Sequence, residues 1–138
     1  MGRKENKRDE FLSLVPIGTK KVLDVGCGDG SLIYRLKAVF SKKYKFKFFG
    51  VDLSQLDIEF ANHRKRYFHH KDCYFQTMDA QYLGFGDEEF DIVISSELIE
   101  HIPEAHKVIR EVYRVLKKDG LFVLTTPHKG SGLLAKVL

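Results

Sequence analysis

The sequence has little of what marks secreted, membrane-spanning or fibrous proteins. It contains only two cysteines, Cys27 and Cys73, which are too few for a disulfide framework. No apolar run approaches the ~20 residues that a membrane helix needs, and residues 1–8 contain no apolar signal-peptide segment. Repeats and low-complexity stretches are also missing, which excludes collagen, coiled coil and extended disorder as the main description. These absences predict a cytoplasmic globular protein with no membrane partner.

The composition is that of one ordinary globular domain. The 138 residues are 43% hydrophobic and 30% charged, and a chain of this length can bury enough surface to fold without a disulfide or a metal. The net charge of +4 is unevenly spread, because residues 1–71 carry 16 basic and 8 acidic side chains and residues 72–138 carry 7 and 11. The basic half is either a set of solvated faces or a surface that attracts a polyanion such as RNA, and charge alone does not decide.

Short apolar runs alternate along the chain with amphipathic stretches. This pattern predicts strands at 21–25, 46–51, 74–78, 90–95 and 121–126, and helices at 31–40, 55–67 and about 104–117. In the second helix we expect Ser54 to cap the start and Leu56, Phe60 and Tyr67 to face inward. Because alternating strands and helices form right-handed βαβ units, we expect an α/β fold. Its doubly wound, mainly parallel Rossmann-like sheet would have about five strands, with helices on both faces.

Glycines and polar side chains gather where the predicted strands end. In open α/β sheets a ligand binds outside the carboxyl ends of the strands. The groups at those ends are Asp24 with the glycine loop 26–30, then Asp52, Asp79, and Ser95 to Glu97. Since the strand bodies are apolar, this segregation predicts a binding site at that edge of the sheet.

The glycine loop indicates which ligand fits. Its three glycines let a ligand approach the backbone, and the helix that follows points its free N–H groups at that ligand. A dinucleotide fingerprint would need glycine where Ser31 stands, and no Gly-Lys-Ser/Thr follows, which excludes a Walker-type phosphate loop. Asp29 would repel a pyrophosphate, so the loop fits a cationic ligand without phosphate. Asp52 can accept hydrogen bonds from both hydroxyls of a ribose, or else it caps the next helix.

Several runs together resemble class I S-adenosylmethionine-dependent methyltransferases, in the broad branch that modifies small molecules and RNA. The runs are 22–30, 51–54, 78–80, 90–95, 98–103, 114–120 and 124–127. They occur in the family's order and cover about residues 20–128. The resemblance implies S-adenosylmethionine as cofactor and transfer of its sulfonium methyl, by in-line displacement, to a small-molecule or RNA acceptor.

The same resemblance implies roles for single residues. The implied cofactor-binding residues are Asp24, Gly26, Cys27, Gly28, Gly30, Asp52, Leu53, Met78, Asp79, Ala80 and Ser95. Asp24 and the loop would hold the amino-acid part of the cofactor, and Asp52 would bind the ribose hydroxyls. Leu53 and Met78 would pack on the adenine ring, and Asp79 would accept from its amino group. Ser95, followed by Ser96 and Glu97, would line the bottom of the space near the sulfonium.

The segment after the fourth strand carries the candidate catalytic groups Glu97, Glu100 and His101. Any of these could act as general base for an oxygen acceptor. Their Glu-x-x-Glu-His spacing also resembles the metal site of small-RNA 3′-terminal 2′-O-methyltransferases, although His128 does not clearly match the further histidine of those enzymes. The same run occurs in metal-free relatives. We therefore assign no metal, and a metal-dependent RNA 2′-O-methyltransferase stays an alternative.

Two departures from the family pattern limit the acceptor and the architecture. No Asn/Asp-Pro-Pro-Tyr/Phe run follows the fourth strand, which argues against methylation of the exocyclic amine of a base. The family's sheet normally ends in an antiparallel hairpin of two more strands, whereas here we expect a basic segment at 1–19, the domain at 20–128, and a tail or the start of a truncated helix at 129–138. The fifth strand would then be an edge that a second copy or another partner completes. A cofactor-binding module without turnover of its own is therefore the second functional hypothesis.

Overall fold

The computed structural model describes residue 18 and residues 21–40 and 45–125, together with the backbone of residues 133–137. Its elements are β1 (Lys21–Val25), α1 (Ser31–Phe40), β2 (Lys47–Asp52), α2 (Gln55–Tyr67), β3 (Cys73–Thr77), β4 (Phe90–Ser96), a 3-10 turn (Ile99–His101), α3 (Ala105–Val115), β5 (Leu116–Thr125) and β6 (Leu133–Val137). Neither the 3-10 turn nor β6 is predicted from the sequence. Apart from the start of β5, the bounds of the other elements agree with the predicted ones to within two residues.

The six strands form one sheet in the order β3-β2-β1-β4-β5-β6. The first five run parallel, as the register of each pair shows, and β6 runs antiparallel to β5. The chain leaves β1 toward β2 and β3 on one side and toward β4 and β5 on the other, so the strand order reverses between β1 and β4. In doubly wound sheets the loops on either side of such a point diverge, and ligands bind in the crevice between them.

Each face of the sheet is covered by helix and carries its own apolar core. On one face α1 and α2 contribute Ile33, Phe40, Ile58 and Ala61. On the other face α3 contributes Val108, Val112 and Val115, all fully buried. Burial of a valine-sized or leucine-sized side chain stabilises the fold by about 1.5–3 kcal/mol each. The doubly wound, mainly parallel sheet with helices on both faces is thus confirmed.

The inward face predicted for α2 is wrong. Leu56, Phe60 and Tyr67 are 71%, 61% and 71% exposed, and the buried residues of the helix are Ile58 and Ala61. The small side chain of Ala61 lets the helix lie close to β2 and β3, so that only a narrow face is covered. The predicted cap is correct, since the backbone N–H of Asp57 donates to Ser54 Oγ at 3.2 Å.

The start of β5 lies five residues before the predicted one. The register jumps from Phe90 opposite Leu116 to Ile92 opposite Leu121, so the extra residues bulge out of the ladder. Asp119 adopts a left-handed φ of 63° within this bulge. The Asp119-Gly120 pair that predicts a turn therefore bends a strand instead of preceding one.

The expected ending of the sheet is also wrong. Residues 133–137 form a strand and not the start of a helix, and they pair with Leu121–Thr125. β5 is consequently an interior strand, which removes the basis for a partner that completes the sheet at β5. Residues 1–17, 19–20 and 126–132, which include His128 and most of the basic N-terminal segment, lie outside the described residues.

One arginine holds the loop between β3 and β4. Arg114, on α3, donates to the carbonyl oxygens of Leu83 and Phe85 at 2.8 Å and to Asp87 Oδ1 at 2.9 Å. Its Nε and Nη2 also donate to Glu111, whose Oε2 accepts from the backbone N–H of Leu83 at 2.7 Å. A planar guanidinium matches this set of acceptors, and a lysine ammonium does not.

Replacing Arg114 with methionine should destabilise the protein. We expect the free energy of unfolding to fall by about 2–3 kcal/mol, because several buried or half-buried acceptors lose their donor at once. Urea denaturation measures this loss. The control is Arg110→Met, an exposed position on the same helix, which should change stability by less than about 0.5 kcal/mol. Equal effects of the two variants would contradict the assigned role.

Candidate functional site

The glycine loop is hydrogen-bonded to the carboxyl end of β2. The backbone N–H groups of Gly26 and Cys27 both donate to the carbonyl oxygen of Val51, at 2.8 and 2.9 Å. Gly26 and Gly30 have φ values of 78° and 80°, which favour glycine. A Cβ on Gly30 would lie 2.8 Å from the Phe75 ring. The loop is therefore a tight cradle that opens directly into α1.

Asp52 connects this cradle to the elements beside it. Its Oδ2 accepts from the backbone N–H of Gly28 at 2.9 Å, and its Oδ1 accepts from that of Ser54 at 2.9 Å. Its carbonyl oxygen accepts from Met78 N–H at 3.0 Å. Asp52 thus connects the glycine loop and the start of α2 through its carboxylate, and the end of β3 through its carbonyl oxygen.

Asp24 and Ser95 are the two buried polar side chains of the described core, with 2% and 0% exposure. Asp24 Oδ1 and Ser95 Oγ have no hydrogen-bond partner among the described residues. Val25 lies in register with Ser95, so Ser95 and Asp24 point to opposite faces of the sheet, one on each side of the crevice. Buried polar atoms are normally paired, and an unpaired one beside a cleft indicates a missing ligand or water.

Burial raises the pKa of the Asp24 carboxyl to about 7, and the charge of Asp52 adds to the effect. Desolvation disfavours the charged form of any buried carboxyl, and a neighbouring negative charge acts in the same direction. Near neutral pH Asp24 is therefore partly protonated. A cation placed beside it would favour the ionised form.

The loop after β3 carries the residues expected to contact adenine. Asp79 Oδ1 accepts from the backbone N–H of Gln81 at 2.8 Å, and Ala80 is buried behind it. Met78 is half-buried, whereas Leu53 is 69% exposed. Because β3 lies beside β2 on the side away from β1, the loop after β3 starts farther from the glycine loop than Asp52 does.

The segment after β4 closes the other side. Glu97 adopts a left-handed φ of 52°, and its backbone N–H donates to the Thr125 carbonyl oxygen at 2.8 Å. A Cβ on Gly26 would lie 3.0 Å from the side chain of Leu98, so this turn packs directly on the glycine loop. A non-glycine residue held in this conformation is characteristic of functional turns.

Glu97, Glu100 and His101 do not assemble into a metal site. His101 Nε2 lies 3.7 Å from Glu100 Oε1, and the His101 side chain is 76% exposed. Among the described residues no group of three histidine, cysteine or acidic side chains is placed to hold a metal ion. The metal-dependent RNA alternative therefore receives no support.

The structure gives Asp29 a role that differs from the expected one. Its Oδ1 accepts from the backbone N–H and the hydroxyl of Ser31, at 3.0 and 2.6 Å, so it caps α1. These hydrogen bonds, with that from the Ser31 hydroxyl the largest contribution, lower the pKa of Asp29. Arg64 lies 3.7 Å from its Oδ2. The signal for the cap was present in the Asp-x-Ser spacing before the helix, but the partner from α2 is visible only in three dimensions.

Comparison with known proteins decides the family. A family described as "Methyltransferase domain" matches residues 18–137. The chain belongs to this family. It is a class I S-adenosylmethionine-dependent methyltransferase domain by sequence and by fold, as the strand-end motifs imply.

Three similar proteins show the breadth of this methyltransferase family. The chain is 34% identical over 110 residues to an arsenite methyltransferase of Rattus norvegicus, covering 72% of this chain and 29% of the relative. It is 32% identical over 117 residues to a ubiquinone biosynthesis O-methyltransferase of Glaesserella parasuis, covering 80% and 46%. A solved structure of Haemonchus contortus phosphoethanolamine N-methyltransferase 2 in complex with S-adenosyl-L-methionine is 27% identical, with a TM-score of 0.74 over 88% of this chain and 28% of that one.

The methyltransferase domain spans less than half the length of these relatives. Their acceptors differ, so similarity alone does not identify an acceptor for this chain. Among the described residues no helix is both long and apolar enough to cross a bilayer. The cytoplasmic location and the domain bounds of 20–128 stay predictions.

The raised pKa of Asp24 makes stability depend on pH. Between the usual value of 3.8 and about 7 the folded state holds a proton that the unfolded state has released. The stability contributed by protonated Asp24 is therefore fully present below pH 3.8 and is lost as pH rises through 7. We expect the parent, relative to Asp24→Asn, to lose on the order of 2–3 kcal/mol of unfolding free energy between pH 5 and pH 8.

Urea denaturation of both proteins at several pH values measures this difference. The comparison with Asp24→Asn cancels the titration of histidines and other groups that the two proteins share. If the free energy of unfolding changes with pH in the same way in both proteins, Asp24 titrates with an ordinary pKa. That result would contradict a raised pKa of Asp24 in the folded state.

Proposed function

We propose that this chain binds S-adenosylmethionine in the crevice above β1 and β4 and transfers its methyl group to an acceptor held beyond β4. The observation that carries the proposal is Asp24, a buried carboxyl with an unpaired oxygen next to a glycine cradle. An ammonium group is the ligand chemistry that such an oxygen lacks. Family membership supports the same cofactor.

The described residues fit this cofactor in charge as well as in shape. The loop between Gly26 and Gly30 carries the helix N–H groups but no lysine, and its one charged side chain, Asp29, is an acid. S-adenosylmethionine has an ammonium, a carboxylate and a sulfonium but no phosphate. The free N–H groups at the start of α1 suit the carboxylate, and Asp24 suits the ammonium.

The nucleoside part would extend from Asp52 toward the loop after β3. Asp52 is already fixed by two backbone donors, and a carboxylate retains lone pairs for ribose hydroxyls. The exposed Leu53 and half-buried Met78 would sandwich the adenine ring, and burial of apolar surface there would stabilise the complex. Asp79 would accept from the exocyclic amino group, with Ala80 presenting its backbone.

When bound, S-adenosylmethionine supplies an electrophilic methyl group on a positively charged sulfur. The chain's own contribution is mainly to position this methyl against the acceptor and to exclude water, because orientation alone can contribute on the order of 7–11 kcal/mol. Ser95 and Ser96 would form the floor of that space. Glu97, held in its turn after β4, would take the proton from an oxygen acceptor, with Glu100 and His101 as the alternative bases.

A cofactor-binding module without turnover is the second candidate function. The contacts that carry the site, around Asp24, Asp52 and the glycine loop, concern the cofactor and are common to both candidates. The two candidates differ only in methyl transfer. Incubation with methyl-labelled S-adenosylmethionine and pools of small molecules or RNA distinguishes them: label transferred by the parent supports the enzyme, and tight binding without transfer supports the module.

Replacing Asp52 with alanine should weaken cofactor binding. We expect the dissociation constant of S-adenosylmethionine to rise about 10- to 100-fold, because charge-assisted hydrogen bonds to the ribose and the anchor of Gly28 are both lost. Asp52→Asn retains one acceptor and should lose less. Glu59→Ala, at an exposed position on α2, is the matched acidic control and should bind as the parent does. Unchanged binding by Asp52→Ala would refute the ribose assignment.

A further inference from the structure

Arg64, on α2, contacts the glycine loop from outside the crevice. Its Nη1 donates to Ser31 Oγ at 3.1 Å and lies 3.7 Å from Asp29 Oδ2. Its guanidinium carbon is 4.5 Å from the centre of the Tyr34 ring, on α1. One side chain thus joins the loop, the first turn of α1 and the body of α2.

These contacts lie at the part of the loop that is bound neither to β2 nor to Asp52. There the Gly30 N–H donates to the Cys27 carbonyl oxygen and the Gly30 carbonyl oxygen accepts from the Tyr34 N–H, both at 3.0 Å. Gly26 and Cys27 are bound to β2, and Gly28 is bound to Asp52. Beyond Gly28 the chain turns through Asp29 and Gly30 before α1 begins. There the hydroxyl of Ser31 donates to Asp29 and accepts from Arg64, so the arginine completes a short hydrogen-bonded chain.

Arg64 also balances the charge of the loop. Asp29 is the one acidic side chain between Gly26 and Gly30, and it lies at the helix start where a bound carboxylate would be attracted. Without a cation beside it, Asp29 would repel such a carboxylate. The guanidinium offsets this repulsion while it keeps the Asp29 carboxylate turned toward Ser31.

We propose that Arg64 is a positioning residue, which holds residues 28–31 in the form that receives the amino-acid part of S-adenosylmethionine. This inference rests on the proposed function, since it concerns the same site. Each contact is partly exposed, and an exposed ion pair alone contributes little. The hydrogen bond, the ion pair and the ring contact act together on one short segment, and this combination makes the residue more than a surface charge.

The test compares two ligands that differ in the amino-acid part, which is the part that residues 28–31 would receive. S-adenosylhomocysteine contains the adenosine and the amino-acid part, whereas 5′-methylthioadenosine contains the adenosine and lacks the amino acid. Calorimetry gives both dissociation constants for the parent, Arg64→Met, Arg64→Lys and Arg66→Met. Arg66 is two residues away and has no side-chain hydrogen bond or ion pair in the described structure, so it is the matched control.

We expect Arg64→Met to weaken S-adenosylhomocysteine about 5-fold relative to 5′-methylthioadenosine, which corresponds to the loss of one hydrogen bond. Arg64→Lys keeps the charge but not the planar stack, and should lie between Arg64→Met and the parent. Arg66→Met should leave the ratio unchanged. A general loss of stability lowers both affinities equally and leaves the ratio as it was, so the ratio reports positioning and not folding.

Three outcomes overturn the inference. An unchanged ratio in both Arg64 variants shows that the loop does not depend on the arginine, while the proposed function stands. If Arg66→Met changes the ratio of the two dissociation constants as much as Arg64→Met does, the effect comes from the loss of any positive charge on α2 and not from the contacts of Arg64. A parent that binds neither ligand overturns the proposed function itself and the role of Arg64 with it. If Arg64→Met does not fold, Arg64→Lys decides alone: a loss of less than 5-fold for S-adenosylhomocysteine relative to 5′-methylthioadenosine supports the inference, and an unchanged ratio overturns it.

Discussion

The hydrogen bonds from the glycine loop to the end of β2 are the constraint on which the site depends. Two N–H groups share the Val51 carbonyl oxygen, and a third is bound by the Asp52 carboxylate. They place the start of α1, the carboxyl end of β1 and the carboxylate of Asp52 relative to one another. The parallel register of β1 with β2 and β4 then brings Asp24 and Ser95 to the same crevice from opposite faces of the sheet.

The same arrangement has a cost in stability. Asp24 is fully buried with an unpaired oxygen, and its raised pKa expresses the free energy needed to charge it there. A chain selected for stability alone would carry an apolar residue at this position. The protein offsets this cost with two continuous cores and with arginines that hold the loops on either side of the site, Arg64 at the glycine loop and Arg114 at the loop after β3.

Local patterns along the sequence predict most of the strands and helices and the edge of the sheet where the strand-end carboxylates gather, because buried strands, glycines and strand-end carboxylates are local signals. They do not predict which face of α2 is buried, since Ala61 packs closely and leaves Leu56 and Phe60 exposed. They also miss β6, which pairs antiparallel with Leu121–Thr125, a contact between segments that local periodicity does not indicate. The roles of Arg64 and Arg114 depend on residues about 30 positions away, which no periodicity in a single sequence can indicate.

The central claim is that the buried carboxyl of Asp24 receives the ammonium group of an adenosine derivative in this crevice. Calorimetric titration of the parent with S-adenosylhomocysteine at pH 7, in buffers of different ionisation enthalpy, tests it most directly. With a pKa of about 7, Asp24 is close to half protonated in the unliganded protein. Binding of an ammonium beside it should therefore release about half a proton per site. Binding without proton release would contradict the role of Asp24, and the absence of any binding heat would contradict the site.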